Sequence, residues 1–106
     1  MAQLKSVACV DLTYGETEVF SVGSTVPFVK LTELILANHS TNAVNCKIKI
    51  YKANINKEAT ISSNLRLEAN ENNFITCQTA LNTNDKILIN VDVNKAVDVL
   101  ISCVEM

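Results

Sequence analysis

Val44-Asn45-Cys46-Lys47-Ile48-Lys49-Ile50 sets Val44, Cys46, Ile48 and Ile50 on one side of an extended chain and Asn45, Lys47 and Lys49 on the other. Successive side chains of a β-strand point to opposite faces, so a period of two predicts a strand with one dry face and one wet face. Two later stretches read the same way. Ile87, Ile89, Val91 and Val93 oppose Lys86, Leu88, Asn90 and Asp92, and Val97, Val99, Ile101 and Cys103 oppose Asp98, Leu100, Ser102 and Val104. From Leu100 onward both sides are apolar, which predicts a central strand or one covered by a neighbouring subunit.

Working outward, residues 4–12, 17–22 and 28–37 carry weaker strand signals, and short ones are expected at 65–67 and 74–77. Leu34-Ile35-Leu36 is an unbroken apolar triplet that cannot hide on one face of a strand. Tyr14-Gly15-Glu16, Gly23-Ser24, the stretch from Asn38 to Asn42, Asn70-Glu71-Asn72-Asn73 and Asn82-Thr83-Asn84-Asp85 read as turns, and Asn94-Lys95 as a short hairpin turn. Only two Gly and one Pro are present, and Asn replaces them because it tolerates the left-handed backbone region. Around residues 51–60, Lys57-Glu58-Ala59 is the best candidate for a helical turn. No capping box introduces it, so the segment is read as a loop or hairpin crossing.

About seven or eight short strands separated by turns predict an all-β fold, a single antiparallel β-sandwich of jelly-roll or Ig-like type. Residues 1–106 form one domain without repeat or linker. Residues 1–26 are read as an N-terminal arm or added strand that contacts a neighbour.

The net charge is −2, and the nine basic residues, Arg66 the lone arginine, are dispersed among eleven acidic ones. Phosphate-tracking surfaces need clustered cations, so nucleic acid is not an expected partner. No apolar run approaches the roughly 20 residues that span a bilayer, and Met1-Ala2-Gln3-Leu4-Lys5 lacks the apolar core of a signal peptide. The expectation is synthesis in a cytoplasm and no membrane partner. Cys9, Cys46, Cys77 and Cys103 form no C-x-x-C pair and sit in apolar runs, as buried small hydrophobes do.

Nothing in the pattern announces catalysis. His39 is the single histidine and lies in a polar turn, with no local signal of a nucleophile or an orienting third group. The carboxylates are scattered singly, which suits surface solvation better than paired acid–base chemistry. Asn82 to Asp85 lacks the glycine and terminal glutamate of a calcium loop, and two isolated glycines cannot cradle a phosphate. Asn38-His39-Ser40 is formally a glycosylation sequon. Phe20, Phe28 and Phe74 read as core, while Tyr14 and Tyr51 are compatible with either core or surface. No catalytic residue, metal ligand or cofactor is expected, and the chain is not read as an enzyme.

What the pattern does offer is adhesive surface. Glu33 interrupts a strong strand, either as a solvated outer-face charge or as a subunit-boundary charge facing a lysine. Together with the doubly apolar stretches it nominates Glu33, Leu34, Leu36, Leu100 and Val104 as subunit-interface residues.

The run from Leu31 to Ser40 leading into the strand at 44–51, the later Leu81-Asn82-Thr83-Asn84-Asp85-Lys86-Ile87, and the closing Val97-Asp98-Val99-Leu100-Ile101-Ser102-Cys103-Val104-Glu105 resemble small β-sandwich structural proteins in the virions of tailed bacteriophages. Those proteins share the strand–Asn–polar turn–strand unit, a leucine-x-x-x-aspartate turn before a strand, and a closing apolar strand ending in Ser and Glu. The resemblance covers residues 30–105. Two departures stand out: Asn and Glu occupy 70–73 where the family often has Gly or Pro, and residues 1–26 have no counterpart. The resemblance implies a non-enzymatic capsid decoration (cement) protein that forms a homo-oligomer, a trimer suiting icosahedral threefold positions, and binds the major capsid protein. The neighbouring alternative is a tail, neck or fibre-attachment component bound to tail proteins. An alternative of another class is a carbohydrate-binding module, which needs exposed aromatics around a groove.

Overall fold

The computed structural model describes the backbone of residues 3–105, and all of their side chains except that of Cys77, whose expected burial lies outside the described residues. Eight strands follow in order: β1 (Gln3–Cys9), β2 (Gly15–Ser21), β3 (Phe28–Asn38), β4 (Val44–Lys52), β5 (Lys57–Leu67), β6 (Asn72–Asn82), β7 (Lys86–Val91) and β8 (Val97–Glu105). They build two antiparallel four-stranded sheets, β1-β8-β3-β6 and β2-β7-β4-β5. Only β4 and β5 are consecutive neighbours within a sheet, and every other connection crosses from one layer to the other. This order, with the first strand paired to the last, is a jelly roll rather than the four-plus-three immunoglobulin sandwich. Among the described residues no helix is long and apolar enough to cross a membrane.

The expected alternation places the core. Cys46, Ile48 and Ile50 of β4 meet Ile87, Ile89 and Val91 of β7 across the register, and all six are buried. From the other sheet Leu31, Leu34 and Leu36 of β3 and Val99, Ile101 and Cys103 of β8 close over them. Burying a Leu or Ile side chain is worth about 1.5–3 kcal/mol, so this interface between layers dominates stability.

β3 cannot keep a strict period and still bury both Leu31 and Leu34, which have opposite parity. A bulge resolves the conflict: the register slips between Leu31 and Glu33 against β8. The extra residue, Thr32, donates its hydroxyl to the Ser102 carbonyl at 2.9 Å. Bulges of this kind re-aim the side chains that follow.

Three expectations are corrected. Asn94-Lys95 is not a hairpin turn, because it carries the chain from β7 in one sheet to β8 in the other. The brief strand expected at 65–67 is the C-terminal end of β5, and that at 74–77 lies within β6, each strand being 11 residues long. Both lie at the end of a sheet's strand order, and an edge strand exposed over most of its length has little apolar alternation to betray it. Lys57-Glu58-Ala59 is strand, and the four residues between β4 and β5 close the hairpin, with Asn56 donating its amide N–H to the Ala53 carbonyl. Asparagine does serve the turns: Asn56, Asn70 and Asn84 hold φ of 51°, 60° and 67°.

Candidate interaction face

The pairing register shows what the outer face of the β1-β8-β3-β6 sheet presents. Because Val99, Ile101 and Cys103 point inward, Leu100, Ser102 and Val104 point outward. Across the four strands, Ala8, Leu100, Ile35 and Phe74 stand in one row. Leu4, Val104, Lys30 and Ala80 form another. Between them run Ser6, Ser102, Glu33 and Thr76. Large apolar groups are left wet here: Leu4 is 87% exposed, Phe74 64% and Leu100 38%.

The five residues nominated from sequence therefore separate. Glu33, Leu100 and Val104 lie on this outer face, while Leu34 and Leu36 are buried between the sheets. Ile35 supplies the outward apolar group of that triplet. Sequence reasoning missed Ile35 and assigned Phe74 to the core. The signal that would have found Ile35 is its own position between two inward leucines. Phe74 gives none, since its strand lacks a clear period. The sequence segment at 1–26 supplies β1 and β2, edge strands of the two sheets, with Leu4 of β1 facing outward.

The opposite sheet is chemically different. Its outer face carries Glu16, Glu18, Lys47, Lys49 and Lys86. Lys49 reaches Glu16 at 2.6 Å and Glu58 at 2.8 Å, and these hydrogen bonds raise its pKa. Lys86 contacts Glu18 at 3.2 Å and sits 5.8 Å from the centre of the Tyr51 ring. A cleft of about 660 Å³ opens beside these groups, lined among others by Glu18, Ser21, Tyr51, Asn84 and Lys86. Tyr51 is only half-exposed, and its hydroxyl donates to Asn56. With an ammonium near its ring it is not a bare stacking platform for a sugar.

Two buried polar groups hold the loops. Asp85 has a fully buried side chain, yet it accepts hydrogen bonds from the Lys52 ammonium and from the backbone N–H groups of Ala53 at 2.9 Å and Asn82 at 2.8 Å. Burial alone would push this carboxyl up. The lysine and the two amides more than offset that and hold it below the usual carboxylate range. The Asn82–Asp85 turn thus satisfies its carboxylate with protein groups.

Asn38, 1% exposed, donates its amide to the carbonyls of Asn42, Leu67 and Glu68 and accepts from the amide and hydroxyl of Ser40. A side chain so enclosed is no glycan acceptor in the folded protein, whatever its sequon says. Cys46 and Cys103 are free, buried thiols, and Cys9 is free and half-buried. Burial, with Asp92 nearby, pushes the Cys46 thiol up to about 11.

His39 is not alone in its turn. Its Nε2 lies 2.9 Å from Asp11 Oδ1 in the β1–β2 connection and 3.3 Å from Asp98 Oδ1 in β8. Asp11 donates its backbone N–H to the same Asp98 oxygen at 2.8 Å. Among the described residues no hydroxyl or thiol hydrogen-bonds the imidazole, and the Ser40 hydroxyl is committed to Asn38 and Asn42. Among the described residues the arrangement therefore has no side-chain nucleophile and is not a nucleophile–histidine–carboxylate triad.

No protein-family model matches the chain, and no curated protein does. Solved structures do. One is a chain of the infectious bursal disease virus particle, with TM-score 0.64, 9% identity, 98% of this chain covered and 30% of that one. Another is in the acid-stable capsid of the Helicobacter pylori bacteriophage KHP30, with TM-score 0.62, 12% identity, 99% of this chain covered and 87% of that one. The chain shares its fold with viral capsid proteins. It spans about a third of the bursal disease virus chains but most of the phage chain. The fold also extends beyond viruses, to the Drosophila NLP core, described for pentamer formation and histone binding, with TM-score 0.61, 9% identity and 97% of both chains covered.

Proposed function

We propose that this chain is a structural protein of a virion, a decoration (cement) protein of a phage capsid that self-associates and binds the major capsid protein through the outer face of the β1-β8-β3-β6 sheet. The observation that carries the reading is the contrast between the two outer faces. One is laced with ion pairs and content in water. The other exposes the apolar row Ala8, Leu100, Ile35 and Phe74, with Leu4 and Val104 beyond the polar row of Ser6, Ser102, Glu33 and Thr76. Exposed apolar groups clustered on one face of a small domain mark a contact surface. The likeness to viral capsid folds, including a phage capsid chain of similar length, supports the setting.

Size sets the kind of contact. A sheet face of four strands and nine residues measures roughly 30 by 15 Å, about 450 Å². A stable pairwise interface takes about 800 Å² from each partner. The face by itself is too small, so the contact extends to the exposed edge of β1 or is shared between neighbours, as a trimer on a capsid lattice provides. The N-terminal strand then touches a neighbouring subunit, and Glu33 lies at the boundary. Tail, neck or fibre attachment uses the same face on a different partner.

Sedimentation and particle binding test this. The wild-type chain is expected to form an oligomer or to bind expanded capsids at a fixed stoichiometry. Phe74→Asp and Leu100→Asp are expected to abolish both while leaving the unfolding midpoint nearly unchanged. A wild-type chain that stays monomeric and binds neither capsids nor tails overturns the reading.

A further inference from the structure

We propose that Asp11, His39 and Asp98 form a binding site for a first-row divalent cation of the zinc type, at the end of the jelly roll where the β1–β2 and β3–β4 connections meet the start of β8. This stands independently of any virion role. The three residues are drawn from three separate segments, and each offers a ligand atom within 4.8 Å of those of the other two.

The spacing suits a shared cation. With metal–ligand bonds of about 2.1 Å, two ligands at a right angle are about 3.0 Å apart, and at the tetrahedral angle about 3.4 Å. The imidazole nitrogen lies 2.9 Å from one carboxylate oxygen and 3.3 Å from the other. An imidazole with two carboxylates is a mixed nitrogen–oxygen donor set, which selects zinc and its neighbours over calcium. Three protein ligands leave the remaining positions to water, and all three side chains are partly exposed, so a hydrated ion can enter.

The frame is held in advance. His39 donates its backbone N–H to Ala96, Leu12 donates to Val97, and Lys95 donates to Leu12, each at 2.9 Å. The segments bearing the ligands are therefore tied to the one that leads into Asp98. A cation there cross-links the same segments. The competing reading is a plain ion pair, with a proton on His39 in place of the metal.

The chain has one histidine, which makes the test direct. Untagged, chelator-treated protein is titrated with Zn²⁺ and, separately, Mn²⁺ while the ring protons of His39 are followed by NMR. Saturable shifts with zinc and selective broadening with manganese are expected. Isothermal titration should show one zinc site, weakened roughly tenfold or more by His39→Ala and by Asp98→Asn, and unchanged by Glu58→Gln on the opposite sheet. At about a hundredfold excess over Kd, zinc should raise the unfolding midpoint by roughly 10 °C. Undisturbed histidine resonances at millimolar zinc overturn the proposal, as does zinc affinity that survives His39→Ala or calcium binding of equal strength.

Discussion

Asn38 and Asp85 are small polar residues in turns, and each stabilises the fold from a fully enclosed position. Removing the Asn38 side chain strands the carbonyls of Leu67 and Glu68 and the Ser40 amide, so Asn38→Ala is expected to cost about 2–3 kcal/mol in a urea melt. Asp85→Ala takes the carboxylate from the Lys52 ammonium and the acceptor from the Ala53 and Asn82 amides, and should cost about 3 kcal/mol. The pH dependence has a definite sign. The folded Asp85 carboxyl is held below its usual range, so its contribution is complete above the ordinary carboxylate pKa and is lost as pH falls through the folded value. The stability gap between wild type and Asp85→Asn should therefore be wide at neutral pH and narrow in acid, as denaturant midpoints at the two pH values will show. Burial also raises the thiols of Cys46 and Cys103, so both are expected to resist alkylation at mildly alkaline pH until the protein unfolds. Mass spectrometry of native and denatured samples reads this directly.

At the level of elements, the bulge in β3 governs which groups face the core. Deleting Thr32 removes the extra residue and turns either Leu31 or the pair Leu34 and Leu36 toward solvent. Val29 is buried with the same parity as Leu31, so two core side chains are lost either way. The loss is about 3–6 kcal/mol against the roughly 5–15 kcal/mol of a domain this size, and the melting midpoint by circular dichroism should fall steeply. Thr32→Val keeps the register and loses only one hydrogen bond, about 1 kcal/mol. Turns give a second test. Asn70 sits at φ 60°, where a β-branched residue is strained. Asn70→Val should cost about 1–2 kcal/mol, while Asn70→Gly should be near neutral. The strands at β4, β7 and β8 were legible because each has neighbours on both sides and a buried face that demands alternation. β5 and β6 were not, because solvent along an edge makes no such demand.

For the whole molecule, the two sheets divide the labour: both bury the core, while the outer face of one carries the row Ala8, Leu100, Ile35 and Phe74 and that of the other carries the ion pairs of Lys49 and Lys86. Association through Leu4, Leu100 and Phe74 should persist when sodium chloride is raised to about 0.5 M, where charge pairing is screened within a few Å. Sulfate should strengthen it, because salting-out favours apolar burial. Analytical ultracentrifugation across the two salts distinguishes this from association through the charged sheet, which would weaken in chloride.

Local order in the chain determined a good deal by itself. Every-other-residue apolarity in β4, β7 and β8 dictated extended structure and named the dry side of each, and asparagine marked the left-handed turn positions at Asn70 and Asn84, though not those at Asp11 and Lys95. Those are properties of a residue and its near neighbours. Tertiary structure alone decided the rest: that β1 pairs with β8, that Ala8, Leu100, Ile35 and Phe74 fall into one row, that Lys52 finds Asp85, and that His39 lies between Asp11 and Asp98. In a jelly roll almost every connection crosses between layers, so spatial neighbours are distant in sequence, and no local pattern encodes which of them meet.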